Sequence, residues 1–275
     1  MRSTVTAPPA PVGGLQIEDI VVRFGGHTAV NRMTLAAPQG RITGLIGPNG
    51  AGKTTTFNVC SGLQRPAGGR VSLFGDDVTG RSAQHRARAG LGRTFQRMEL
   101  FDSLRVEENV ALGREARLGG AQPWRHLVSS RTESRAVSRA AAGAMQLCGI
   151  EHLAGRRPSE LSTGQRRLVE LARCIAGDYR VMLLDEPSSG LDKGETRSFA
   201  RILQTLVEQR GVGILLVEHD MALVMSVCSY IYVLDFGQPI FEGTPVEVST
   251  SPVVRAAYLG SEAVEDSISA GPNDA

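Results

Sequence analysis

Residues 42–53 read ITGLIGPNGAGK, and no other stretch limits the fold so tightly. Ile42 to Ile46 has the length and apolar character of a buried strand, and it runs straight into a glycine-rich turn. Gly47-Pro48-Asn49-Gly50-Ala51-Gly52-Lys53-Thr54-Thr55 follows, with a helix expected from Lys53 to about Ser61. Strand, glycine loop and helix in this order make a cradle for phosphate. Glycines let backbone N–H groups turn inward, and the helix N-terminus adds partial positive charge. Lys53 sets an ammonium on the same oxygens, and the Thr54 hydroxyl can ligate Mg²⁺. Of 30 basic residues only Lys53 and Lys193 are lysines, so the lysine in the cradle is a departure from the composition.

A second feature completes the chemistry. Val181-Met182-Leu183-Leu184 is an apolar strand that delivers Asp185 and Glu186 at its C-terminal end, where open α/β sheets place ligands. Asp185 is expected to hold Mg²⁺ directly or through water, and Glu186 to polarise the water that attacks a γ-phosphate. In isolation an Asp-Glu pair is more often a solvated strand end; a phosphate cradle upstream reverses that preference.

The rest of the chain reads as an α/β domain. Leu15, Ile17, Ile20, Val22 and Phe24 suggest an early strand interrupted near Asp19, and Val71 and Leu73 another before a turn at Gly75-Asp76-Asp77. Glu107 to Leu147 reads as helices broken near Gly119, Gly120 and Pro123. Phe199, Ile202, Leu203, Leu206 and Val207 recur at helical spacing, and Gly213–Val217 and Tyr230–Leu234 are further apolar strands. Such alternation implies a largely parallel sheet covered on both faces. Met1–Gly14 is expected to be a flexible leader and 261–275 a disordered acidic tail.

Composition narrows the function. A net charge of +2 gives no support to nucleic-acid binding. Cys60, Cys148, Cys174 and Cys228 lack metal or redox spacing and read as reduced, mostly buried thiols. No apolar run approaches the roughly 20 residues that cross a bilayer, so work at a membrane needs a partner. His27, His85, His126 and His152 read as surface or loop.

With these residues in view, the sequence resembles the ABC-family ATPases from about Leu15 to Gly260. Gln96, in Gly92-Arg93-Thr94-Phe95-Gln96, matches the family's Q-loop glutamine, which senses Mg²⁺. Leu161-Ser162-Thr163-Gly164-Gln165 matches the signature that caps the γ-phosphate of the other subunit, although the family's usual glycine is replaced by Thr163. Asp192, in Ser188-Ser189-Gly190-Leu191-Asp192, matches the D-loop that communicates across the dimer, and His219, in Val217-Glu218-His219-Asp220, the switch histidine. Phe24 stands where the family stacks a ring on adenine; an aromatic on a strand is otherwise more often core, and Asp192 otherwise a turn residue. Ser162 can serve as an ordinary helix cap as well.

The resemblance implies a P-loop ATPase core with a mostly parallel sheet, an antiparallel β subdomain and a helical subdomain at about 97–175, within an ATPase domain at 15–260. It implies ATP and Mg²⁺, and a second ATPase subunit, either a non-identical sibling or another copy. Two transmembrane permease subunits and, indirectly, a substrate-binding protein complete the expected assembly, which places the chain on the cytoplasmic face of the membrane. Arg23-Phe24-Gly25-Gly26, Glu218-His219-Asp220-Met221 and Arg255-Ala256-Ala257-Tyr258-Leu259-Gly260 are similar to ATPases of branched-chain amino-acid importers, with urea importers sharing much of the pattern. Soluble ABC ATPases of DNA repair or translation usually add a long coiled coil or a second ATPase domain, and this sequence has neither. Arg86, Arg88, Arg93 and Arg97 crowd the approach to Gln96 and read as a solvated face or as a docking rim.

Overall fold

A computed structural model describes residues 13–94, 100–119 and 131–258. Two sheets organise them. The first is antiparallel, with strands β1 (Gly14–Phe24), β2 (His27–Pro38), β4 (Gly68–Leu73) and β5 (Asp76–Asp77) in the order β2-β1-β4-β5. Its strand β1 takes in Gly14, which pairs with Pro38. The interruption expected near Asp19 is a bulge within one continuous strand: Asp19 has φ 49° and the pairing register shifts across it. The turn expected at Gly75-Asp76-Asp77 lies one residue earlier. Phe74 and Gly75 carry positive φ, and Asp76 and Asp77 pair back onto Leu73 and Ser72, as a two-residue hairpin loop requires.

The second sheet has the order β10-β9-β3-β8-β7-β6, from β3 (Ile42–Ile46), β6 (Leu91–Arg93), β7 (Val181–Asp185), β8 (Gly213–Val217), β9 (Tyr230–Asp235) and β10 (Gln238–Gly243). Only the edge strand β10 runs antiparallel to its neighbour. Alternate residues of its strands enter two different cores. Ile42, Met182, Leu184, Ile214, Leu216 and Val233 face one core, shared with helices α5 (Thr163–Ala176), α6 (Lys193–Arg210) and α7 (Met221–Val227). Leu45, Leu183, Leu215, Val217 and Leu234 face the other, shared with helix α1 (Lys53–Ser61) and the antiparallel sheet. Burial on both faces is why the central strands β3, β7, β8 and β9 carry runs of apolar residues instead of one at every second position, with Thr43 buried among them.

Helices α3 (Val106–Gly119) and α4 (Arg131–Cys148) pack with α5 into a helical block beside the sheet. Gly113 makes the approach of α3 to α5 possible, because a Cβ there would overlap the Arg173 carbonyl. Tyr179 is held in the same way, its ring lying against the backbones of Gly92 and Gly177, with the Arg117 guanidinium 5.7 Å from the ring centroid. Short helices α2 (Ala83–Ala89), α8 (Pro245–Thr250) and α9 (252–258) complete the described chain. All four cysteines are buried free thiols, and burial pushes each up to about 12.

Candidate active site

The start of α1 differs from those of five other helices. Helices α2, α5, α6, α7 and α8 begin with Ser82, Ser162, Asp192, Asp220 and Thr244, and each side chain accepts a bond from a first-turn N–H. Helix α1 begins with Gly52 in the left-handed region at φ 99°, with no side-chain cap. Its first N–H groups therefore point into the glycine loop as donors for an anion. The loop is closed on its outer side by backbone. A Cβ at Gly47 would overlap the Leu234 carbonyl, and one at Gly52 would lie 2.7 Å from the Ala29 carbonyl. The tip of the β9–β10 hairpin braces it: Gly237 N–H donates to the Ala51 carbonyl at 3.0 Å, and Asn31 N–H donates to the Gly237 carbonyl at 2.7 Å.

Lys53 is buried, and its ammonium donates to the carbonyls of Gly47 at 2.7 Å and Pro48 at 2.9 Å. Burial pulls its pKa down, while the nearby charges of Glu186 and Asp185 work the other way. A cavity of about 280 Å³ opens over the loop, lined by Asn49 to Thr55 on one side and by Glu186 and His219 on the other. Pro48 and Gly47 form the entry to the loop behind it. His27, to which the sequence reading gives no role, is exposed as expected but also lines this cavity.

Glu186 follows β7 in the left-handed region, at φ 47°. Non-glycine residues pay about 1–2 kcal/mol for that conformation. Its backbone N–H is held by the Val217 carbonyl at 2.9 Å, and its Oε1 lies 2.8 Å from His219 Nε2. Glu218, beside the histidine, is buried and clamps both flanks. Its Oε1 accepts from Ser188 N–H at 2.7 Å and its Oε2 from His219 N–H at 3.2 Å. Burial raises the Glu218 carboxyl above its ordinary range, and these N–H bonds oppose the rise.

Asp185 is 2% exposed at the end of β7, and Arg93 reaches it with a 3.2 Å contact to Oδ2. Burial raises its pKa, and the Arg93 charge opposes that rise. The oxygen donors of this site suit Mg²⁺, which takes one or two protein ligands and completes its shell with phosphate and water. Thr54, exposed at the first turn of α1, and Asp185 are the residues that would hold it.

The signature residues sit elsewhere. Ser162 caps α5, its Oγ accepting from Gln165 N–H at 3.2 Å while Gln165 Oε1 accepts from Ser162 N–H at 3.0 Å. The Thr163 methyl turns towards Gly190 of the same chain, where an added Cβ would come within 3.0 Å of it. Gly164 is pressed against the Glu195 carboxylate, whose Oε2 also accepts from Asp192 N–H at 3.0 Å. Asp192 itself caps α6 through Gly194 and Glu195 N–H. Among the described residues, none of Ser162, Thr163, Gly164, Gln165 or Asp192 lines the cavity over the glycine loop. Phe24 is 52% exposed at the end of β1, outside both cores. Gln96 lies outside the described residues.

Two of the four arginines near Gln96 form neither a solvated face nor a docking rim. Arg86 is 1% exposed and donates to the carbonyls of Val59, Cys60 and Thr79, tying down the C-terminus of α1. Arg93 is enclosed between α1 and β7. Arg88 is exposed, and Arg97 lies outside the described residues. The phenol of Tyr258, in α9, is pushed up to about 12 by burial, opposed by a hydrogen bond from the backbone of Gly47.

A glycine loop at the end of a central parallel strand, facing a carboxylate and a histidine, defines a P-loop nucleotide hydrolase. The family model described as ABC transporter matches residues 30–189, and one described as branched-chain amino acid ATP-binding cassette transporter matches residues 238–264. The high-affinity branched-chain amino acid transport ATP-binding protein LivG of Salmonella typhimurium is 38% identical over 250 residues, 90% of this chain and 97% of that protein. The protein of the same description, BraF, from Pseudomonas aeruginosa is 36% identical over 249 residues, again 90% of this chain and 97% of the relative. A solved nucleotide-free ATP-binding cassette from an ABC transporter superposes with a TM-score of 0.78 at 29% identity, covering 90% of this chain and 98% of that one. The chain belongs to the ABC transporter family, as one of its ATP-hydrolysing cassettes.

Proposed function

We propose that this chain binds and hydrolyses ATP with Mg²⁺ to power uptake of branched-chain amino acids through a separate permease. The observation that carries the chemistry is the 280 Å³ cavity with the phosphate loop on one wall and the Glu186–His219 pair on the other. Backbone N–H groups of the loop and Lys53 would bind the phosphates. Thr54 and Asp185 would hold the metal, which supplies charge neutralisation on the phosphate oxygens. Glu186 would orient and polarise the attacking water, with His219 fixing its carboxylate. Gln96 would report metal occupancy, and Phe24 would stack on adenine.

The separation of the signature from the phosphate loop supports a site completed by a second ATPase subunit, whose Ser162 to Gln165 counterpart would cap the γ-phosphate. Asp192 would lie at that junction. ATP then favours the closed pair by its differential affinity for that state. No helix among the described residues is long and apolar enough to cross a membrane. In this reading, which follows the membership in the ABC transporter family, two permease subunits carry the solute, with this chain at their cytoplasmic face and a binding protein delivering the solute. The helical block at about 97–175 would carry the motion. The C-terminal family match and the transport role of the relatives LivG and BraF support branched-chain amino acids over urea.

The test is reconstitution with a sibling ATPase, the permease pair and a binding protein in vesicles. ATP-dependent uptake of leucine, isoleucine or valine, lost on Lys53→Ala, is expected. Uptake of urea in their place would overturn the substrate, and full hydrolysis by Lys53→Ala would overturn the site.

A further inference from the structure

Strand β6 lies at the edge of the parallel sheet, with Arg93 as its last residue, paired with Leu183 two positions before Asp185. From there the Arg93 side chain reaches three groups on two other elements. One guanidinium nitrogen, Nη1, donates to Asn58 Oδ1 and to Ser61 Oγ, both at 2.8 Å, one turn apart on α1. The other, Nη2, donates to Asp185 Oδ2 at 3.2 Å. The guanidinium carbon lies 5.7 Å from the centroid of the Phe57 ring, also on α1, and the side chain is 11% exposed. A single planar fork thus ties the phosphate-loop helix to the strand that delivers the metal carboxylate. Lysine, a point charge on a flexible stem, has no geometry for this. With Oδ2 held, rotation of the Asp185 carboxylate about its Cβ–Cγ bond is arrested. The backbone adds to the same brace: Thr94 N–H donates to the Leu183 carbonyl at 2.9 Å, and Asp185 N–H donates to Thr94 Oγ1 at 3.4 Å.

We propose that Arg93 is a positioning residue that fixes the Asp185 carboxylate against α1 and thereby sets the magnesium requirement of the nucleotide site. The inference rests on the nucleotide-site reading above and adds a residue that this reading leaves without a task. A buried ion pair with only a structural role would affect melting when broken, and would leave the metal dependence alone. A positioning role moves the metal dependence, because partners that orient a metal ligand typically govern about 10- to 100-fold in metal affinity.

The experiment titrates Mg²⁺ against the binding of a fluorescent N-methylanthraniloyl ATP by the purified chain, with a parallel titration in chelator. Arg93→Met keeps an apolar stem beside Phe57 and removes the fork. It should raise the Mg²⁺ concentration for half-maximal binding by about 10-fold or more, with metal-free nucleotide affinity unchanged. Arg93→Lys should fall between Arg93→Met and the parent. Asn58→Ala combined with Ser61→Ala leaves Arg93 and Asp185 in place, frees their anchor, and should shift the requirement in the same direction by less. An unchanged or lowered Mg²⁺ requirement in folded Arg93→Met overturns the proposal. If that variant does not fold, an unchanged requirement in the Asn58/Ser61 double variant does so. Failure of the underlying reading looks different: the parent chain would then show no Mg²⁺-dependent nucleotide binding, or Lys53→Ala would bind as tightly as the parent.

Discussion

His219 Nε2 and Glu186 Oε1 lie 2.8 Å apart and join the ends of two adjacent parallel strands at the mouth of the phosphate cavity. The contact depends on the left-handed backbone of Glu186, which follows β7 directly, and on Glu218, which fixes the histidine backbone from within. Glu186→Gln keeps the side-chain shape and a bond to His219 but removes the negative charge that polarises water. Hydrolysis should fall by about 10²-fold or more while ATP binding survives. Single-turnover kinetics with radiolabelled ATP would measure both; turnover at the parent rate would refute the general-base role.

Phe24 offers an exposed ring that neither core needs, so its loss should cost affinity and little stability. Phe24→Ala should weaken ATP binding by about 1–3 kcal/mol, the range for stacking on one base, with melting nearly unchanged. Calorimetric titration reads this, and equal affinity in the variant would remove Phe24 from the adenine site.

Thr163 directs its methyl to Gly190 of its own chain. Thr163→Gly should therefore change turnover only slightly, whereas Ser162→Arg should block ATP-dependent pairing of the two ATPase subunits. Turnover assays and light scattering separate the two effects. A large loss from Thr163→Gly, with the helix content intact by circular dichroism, would show that the threonine itself contributes to the phosphate contact.

Gly113 has no room for a side chain, and the obstacle is the backbone of α5. Gly113→Ala should force α3 away from α5 and cost about 1–3 kcal/mol. Thermal unfolding should show it as roughly 2–4 °C for each kcal/mol lost. An unchanged Tm would mean that the two helices separate at no cost.

Much of this architecture was legible because burial on both faces leaves its mark on a strand. β3, β7, β8 and β9 are mostly apolar runs, interrupted by Thr43 and ended by Asp185 and Asp235, so they stand out before any pairing is known. β2 and β10 do not. β2 carries a left-handed Arg32 that breaks its alternation, and β10 carries Pro239 and is only half-buried. The phosphate loop, Asp185, Glu186 and His219 were readable because each follows an apolar strand within a few residues. Arg93 and Arg86 were not, because an arginine in sequence suggests solvent. Their partners on α1 lie 26 to 35 residues away and include backbone carbonyls, which carry no sequence pattern. The capping roles of Ser162 and Asp192 follow a local rule and could be anticipated; the packing of Glu195 on Gly164 joins two helices and could not.

The place of β3 in the sheet also governs when this protein can begin to work. Its hydrogen-bonded neighbours are β8 and β9 alone, and the loop that follows it is buttressed by Gly237. Synthesis therefore produces the nucleotide-binding segment early and its supports some 170 residues later. A nascent chain that has not passed residue 213 holds every atom of the phosphate loop and no lattice to shape it. Such long-range pairing is slow to form, and it makes a shaped phosphate loop wait for β8, β9 and the hairpin tip at Gly237. A ribosome stalled before residue 213 would release a fragment with no competent site, and so no idle consumer of ATP.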